Sequence, residues 1–239
     1  MKHPGLAALL VCFFALPAAA DLTLVQEIEG AGPVSQITMK IKGDKVRIDA
    51  APEMTTIVDS KTGEMLNLMN SQKTVMRMSG DQVKAAAAMA GKTLMGEGQA
   101  TAGQPKITPT GKKETINGYE AEEYVCDTPS FHASYWVARN YPQSEAIMKQ
   151  LQSTTPQTWS AAGGTGMPDF RDFPGLPIRT NISMGEQKYV TTITSVKLDP
   201  LDAAEFAVPQ GFQEMKMPDL NALLGGSSPP PKAGAAPKK

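Results

Sequence analysis

Strict alternation around a two-residue turn constrains this chain more than any other feature. Ile37, Met39 and Ile41 alternate with Thr38, Lys40 and Lys42; Gly43 and Asp44 follow; then Val46 and Ile48 alternate with Lys45, Arg47 and Asp49. A period of two marks a strand with one buried face. A glycine-first dipeptide between two such strands marks a tight hairpin. With Gly43-Asp44 as the loop, Ile41 faces Val46 and Met39 faces Ile48. One side of the hairpin is then wholly apolar, and the other carries Lys40, Lys42, Lys45 and Arg47. A slip of one residue would mix the two faces, so the register is well specified.

The pattern continues at short spacing. Strands are predicted over 54–59, 65–69 and 74–78, separated by turn-prone residues. Connections this short suit antiparallel neighbours, since a parallel crossover takes a dozen or more residues. Ser79 with Gln82 reads as a capping box. It opens an alanine-rich helix whose stripe is Val83, Ala86, Ala87 and Ala90 and which is expected to stop at Gly91. A Gly- and Pro-rich loop over 96–111 separates a second strand-rich half. Asn117-Gly118 is a strong hairpin signal that sets Lys113 opposite Glu122. Strands are predicted over 119–126, 131–138, 178–184 and 189–198, with a short helix over 142–152. Nine or ten strands and two helices make an α+β chain built on one large antiparallel sheet, which tends to curl or close.

The ends read differently. Residues 1–20 have a basic start, an apolar run over Leu6–Leu16 and Ala18-Ala19-Ala20 before Asp21. That is the form of an export signal cleaved near Ala20, placing the protein in the periplasm or outside the cell. Residues 21–226 form the single predicted domain. Residues 227–239, restricted to Ser, Pro, Gly, Ala and Lys, are expected to be a disordered tail. Cleavage removes Cys12 and leaves Cys126 alone, expected to be a small buried hydrophobe rather than a dimerisation handle. The expectation is a monomer.

Charge and motif searches narrow the chemistry. Lys and Arg number 23 against 24 Asp and Glu, a balance unlike the basic excess that displaces counterions from nucleic acid. Zinc sites gather several His or Cys at short spacing, and beyond the leader only His132 and Cys126 remain. A Ser-His pairing would have to use His132 with Ser134. Gly163-Gly164-Thr165-Gly166 lacks the lysine of a phosphate loop. No catalysis, metal or cofactor is expected on these grounds. The basic strip Lys40, Lys42, Lys45 and Arg47 suits an acidic partner or a membrane surface, or is simply a solvated face.

Methionine is the unusual residue: 14 in all, eight of them between Met39 and Met95. Three readings stay open. They fill a core, they line an adaptable apolar surface, or thioethers such as Met76 and Met78 hold Cu(I).

Several segments in order also resemble a known family. These are the 39–49 run Met-Lys-Ile-Lys-Gly-Asp-Lys-Val-Arg-Ile-Asp, Ile57-Val58-Asp59, the 117–124 run from Asn117 to Tyr124, Trp136-Val137-Ala138, Gly175-Leu176-Pro177-Ile178 and the 206–212 run from Phe206 to Phe212. Together they resemble an uncharacterised family of exported bacterial proteins, domain of unknown function 4412, grouped with the LolA-like and LppX-like periplasmic lipoprotein carriers. The resemblance implies a strongly curved antiparallel half-barrel with helices on its concave side. It also implies a concave face that holds acyl chains, with no catalytic residues to carry over. On that basis the expected function is binding of a lipid or other apolar molecule. The expected lining is Ile37, Met39, Ile41, Val46, Ile48, Met76, Met78 and Ala87. An envelope structural or protein-interaction module is the alternative.

Overall fold

A computed structural model describes residues 21–30, 32, 36–95, 106–127, 132–154, 168 and 170–215. The expected leader and tail lie outside these residues, as does Gly163–Gly166 of the sequence. The first half lays down six strands in succession: β1 (Leu22–Glu29), β2 (Gln36–Lys42), β3 (Lys45–Ala51), β4 (Met54–Asp59), β5 (Met65–Met69) and β6 (Thr74–Met78). Helix α1 (Gly80–Met95) follows. The second half supplies β7 (Thr108–Ile116), β8 (Tyr119–Asp127), β9 (His132–Ala138), helix α2 (Ser144–Thr154), β10 (Leu176–Met184), β11 (Gln187–Lys197) and the short β12 (Gln213–Met215).

All twelve strands join one open sheet, ordered β12-β6-β5-β4-β3-β2-β1-β11-β10-β9-β8-β7. Every neighbouring pair is antiparallel except β12 with β6, which is parallel. The two meanders meet where β1 lies between β2 and β11. The β2–β3 register is the one the alternation dictates, with Ile41 opposite Val46 and Met39 opposite Ile48. Gly43 takes φ 56 in the first loop position, where a side chain would be strained. Asn117 and Gly118 both have positive φ, as the tightest hairpin loops demand. Lys113 stands opposite Glu122 as expected, but its ammonium reaches Glu120 at 3.1 Å.

Local signals also set the helices. Ser79 N–H donates to Gln82 Oε1 at 2.8 Å, and Gln82 N–H donates to Ser79 Oγ at 3.3 Å, the reciprocal pairing of a capping box. Gly80 must be glycine: a Cβ there would stand 2.5 Å from the carbonyl oxygen of Thr62. The helix passes through Gly91 and ends at Met95. A glycine inside a helix costs only about 1 kcal/mol relative to alanine, so it does not enforce a stop.

The main apolar cluster runs across both halves. It takes Leu22, Leu24, Ile41, Val46 and Val58 from the first, and Ile116, Tyr124, Cys126, Tyr135, Val137, Ile178 and Ile193 from the second. Helix α2 closes it with Ile147, Met148 and Leu151, and Phe173 packs on Tyr135 with ring centroids 4.9 Å apart. Among the described residues α1 adds nothing to this cluster. It leans on β6 with Val83, Ala86 and Ala87 half-buried.

A smaller cluster lies on the opposite face of the first half: Ile57, Leu68 and Val75, with Leu66, Val208 and Phe212 against them. Val208 and Phe212 belong to the segment after β11. It crosses this face and ends as β12, where Gln213 N–H donates to Lys73 O at 2.9 Å.

Candidate functional site: a methionine face and a strapped basic face

Side chains alternate along a strand, and residues opposite one another on paired strands share a face. One face of the first half can therefore be read across the ladder. From β1 outward it carries Leu22 and Leu24; Ile37, Met39 and Ile41; Val46 and Ile48; Met54, Thr56 and Val58; Met65, Asn67 and Met69; Thr74, Met76 and Met78; and Met215 of β12. Seven methionines share this face, and no charged residue stands among these positions. Two of its three polar residues are adjacent and partly cancel: Thr56 Oγ1 donates to Asn67 Oδ1 at 2.9 Å.

Burial is greatest beside the main cluster and least at Met54 and Met215. Ile41 and Val46 are buried in the main cluster, and Met39, Ile48 and Met65 are half-buried against it. Met69, Met76 and Met78 are half-buried outside it. Met54 and Met215 are 47% and 41% exposed. Seven of the eight lining residues expected from sequence thus lie on one sheet face, from the buried Ile41 and Val46 to the half-buried Ile37, Met76 and Met78. Ala87 sits half-buried on α1, the helix that leans on β6. Met54, Met65, Met69 and Met215 share this face beyond the lining expected from sequence. Their signal lay in register, since Met65 stands opposite Met78 and Met215 opposite Met76.

The other face of the same strands holds the basic strip, and its charges are met within the chain. Lys40 pairs with Glu205. Lys42 Nζ lies 2.6 Å from Asp21 Oδ2, and the same oxygen accepts from Leu201 N–H at 2.8 Å. Lys45 pairs with Asp59 at 2.9 Å. Arg47 Nε donates to both Asp49 oxygens at 3.1 and 2.9 Å, while its Nη1 donates to the Glu205 carbonyl at 2.7 Å. The strip is thus the seat of the 198–215 strap and of the first described residue, Asp21. Burial pushes the Asp49 carboxyl up, but hydrogen bonds from Arg47 and Thr55 outweigh it and hold the group below the usual value. Asp59 is likewise depressed: burial opposes, and Lys45 with the Thr62 and Lys61 amides prevails.

The remaining candidates separate. His132 pairs with Asp127, whereas Ser134 Oγ accepts from Asn181 Nδ2 at 3.0 Å, so the two side chains are engaged elsewhere. Cys126 is fully buried, and burial with the neighbouring Asp127 pushes its thiol up. Tyr135 is buried too, with no partner for its hydroxyl among the described residues, and desolvation raises its pKa well above the ordinary value. Among the described residues no three His, Cys, Asp or Glu side chains gather as metal ligands. None of the described helices is long and apolar enough to cross a membrane.

The free edge opposite β12 is β7. Eight of its nine residues are exposed. Pro109 lacks an N–H, the register shifts between Pro109 and Lys113, and two lysines follow. These are devices that stop a strand edge from recruiting another strand.

The family model described as "Domain of unknown function (DUF4412)" matches residues 21–212; the chain belongs to that family. No curated protein matches it. Among solved structures, two crystal forms of PNGF-II are similar at 14% identity, in space groups P21 and C2, with TM-scores of 0.42 and 0.38. They match 86% and 85% of this chain, which spans about a third of theirs.

Proposed function

We propose that this DUF4412 protein is an exported, non-catalytic carrier that holds an acyl chain on the methionine face of its first meander, in a LolA-like half-barrel. One observation carries the reading: an uncharged face graded from the buried Ile41 to the open Met54 and Met215. Such a gradient gives an acyl chain an apolar floor at one end and a way in at the other. Methionine suits the task because its unbranched thioether adapts to chains of differing shape. The location is proposed to be the periplasm or the cell exterior, following the leader-like residues 1–20.

Titration of residues 21–239 with a fluorescent fatty acid tests this. Binding should saturate and be displaced by phospholipid. Met78→Asp sets a charge on the half-buried part of the face and should weaken binding by about tenfold or more. Lys84→Glu, on the exposed side of α1, should leave it unchanged. Absence of saturable binding, or equal binding by Met78→Asp, would refute the reading.

A further inference from the structure

Adjacent strands bring four of the methionines into a contiguous group. Met65 on β5 is directly opposite Met78 on β6, Met76 is two residues along the same strand, and Met215 on β12 is directly opposite Met76. Opposed residues on paired strands lie about 5 Å apart at Cβ, and i, i+2 residues lie about 7 Å apart on the same face. A methionine side chain is long and flexible enough to close such gaps. We propose that Met65, Met76, Met78 and Met215 form a site for a soft monovalent cation, Cu(I), with Ag(I) as its chemical mimic.

The surroundings select the ion. On this face β5, β6 and β12 carry only Met65, Asn67, Met69, Thr74, Met76, Met78, Gln213 and Met215. No carboxylate or imidazole stands there to satisfy a hard or borderline divalent ion. Glu214 and Arg77 alternate onto the other face, where they pair with each other. Thioethers are neutral, soft donors that favour Cu(I) over Mg2+, Ca2+ or Zn2+. A single positive charge is also the least costly to hold in an uncharged apolar setting. Access is available, since Met215 is 41% exposed and the other three are half-buried rather than sealed. β12 is the element that completes the set, so the strap over the basic face also delivers a ligand to the opposite face.

The test uses residues 21–239 under anaerobic, reducing conditions, with Cu(I) competed against bicinchoninate and Ag(I) titrated calorimetrically. A single equivalent should bind. In methionine-methyl carbon-13 spectra, the resonances of Met65, Met76, Met78 and Met215 should shift while that of Met54 stays. The double change Met76→Leu with Met78→Leu keeps volume and apolarity, so the fold, read by melting temperature, should persist while cation affinity falls by about 100-fold. Met54→Leu should leave the affinity unchanged. Failure to compete with the chelator, an unaltered affinity in the double variant, or a stoichiometry that follows the total methionine count would each overturn the site. Cation affinity is measured with no fatty acid present, so failure of this site and failure of the acyl-chain reading are separable results.

Discussion

The two meanders use the same strand grammar and finish it differently. In the second half, β8 and β9 bury residues on both faces, Ala121, Glu123 and Ser134 on one and Tyr124, Cys126, Tyr135 and Val137 on the other. Helix α2 supplies three buried apolar side chains to that region. In the first half, β2 and β5 each have a single buried residue, Ile41 and Leu68. One of their faces is closed by an ion-paired strap, and the other runs out into half-exposed methionine. Burial on both faces suits a scaffold, since packed interiors lose free energy with any change of volume. A graded, flexible face suits a surface that admits something else.

The contrast breaks most sharply at the seam. Ile41 is fully buried where the halves join, and Ile41→Lys should cost at least about 3 kcal/mol by leaving a buried charge unpaired. Urea unfolding measures it. Lys42→Glu, one residue away on the other face, should cost less, yet more than a free surface change, because it sets a second acid beside Asp21. Indistinguishable midpoints for the two would invalidate the assignment of faces.

Within the halves, Ile147→Ala should cost about 2–5 kcal/mol, the usual range for emptying a packed site. Met54→Ala should cost under about 1 kcal/mol, since its side chain is 47% exposed. Similar losses would mean that the methionine face is as tightly packed as the scaffold.

The smallest expected effect is on pH. Asp49 and Asp59 have native pKa values below the 3.8 of the free carboxyl. Their contribution to stability is complete above about pH 4 and is lost as pH falls through the depressed values. Asp49→Asn should therefore flatten the acid limb of a melting-temperature profile while changing little in the slope between pH 6 and 8. A profile as steep as that of the parent would remove Asp49 from the account.

What sequence alone determined is local. The 37–49 hairpin, its register, the Asn117-Gly118 turn and the Ser79–Gln82 cap depend on neighbours a few residues apart, and alternation, turn chemistry and capping encode them directly. The strands over 54–59, 65–69 and 74–78 have the predicted bounds for the same reason. β1 is not legible locally because no turn signal frames it, nor is β12, whose three exposed residues carry no period. Tertiary structure decided the rest. It joined β1 to β11, laid the 198–215 strap over the lysines and set Met215 beside Met76. Those pairings link residues far apart in the chain, and no local pattern specifies which distant partner a strand edge or a charge will meet. The basic strip is the plainest case: its sequence shows four cations on one face with Asp49 beside Arg47, while only the folded chain supplies Asp21, Asp59 and Glu205 to neutralise the others.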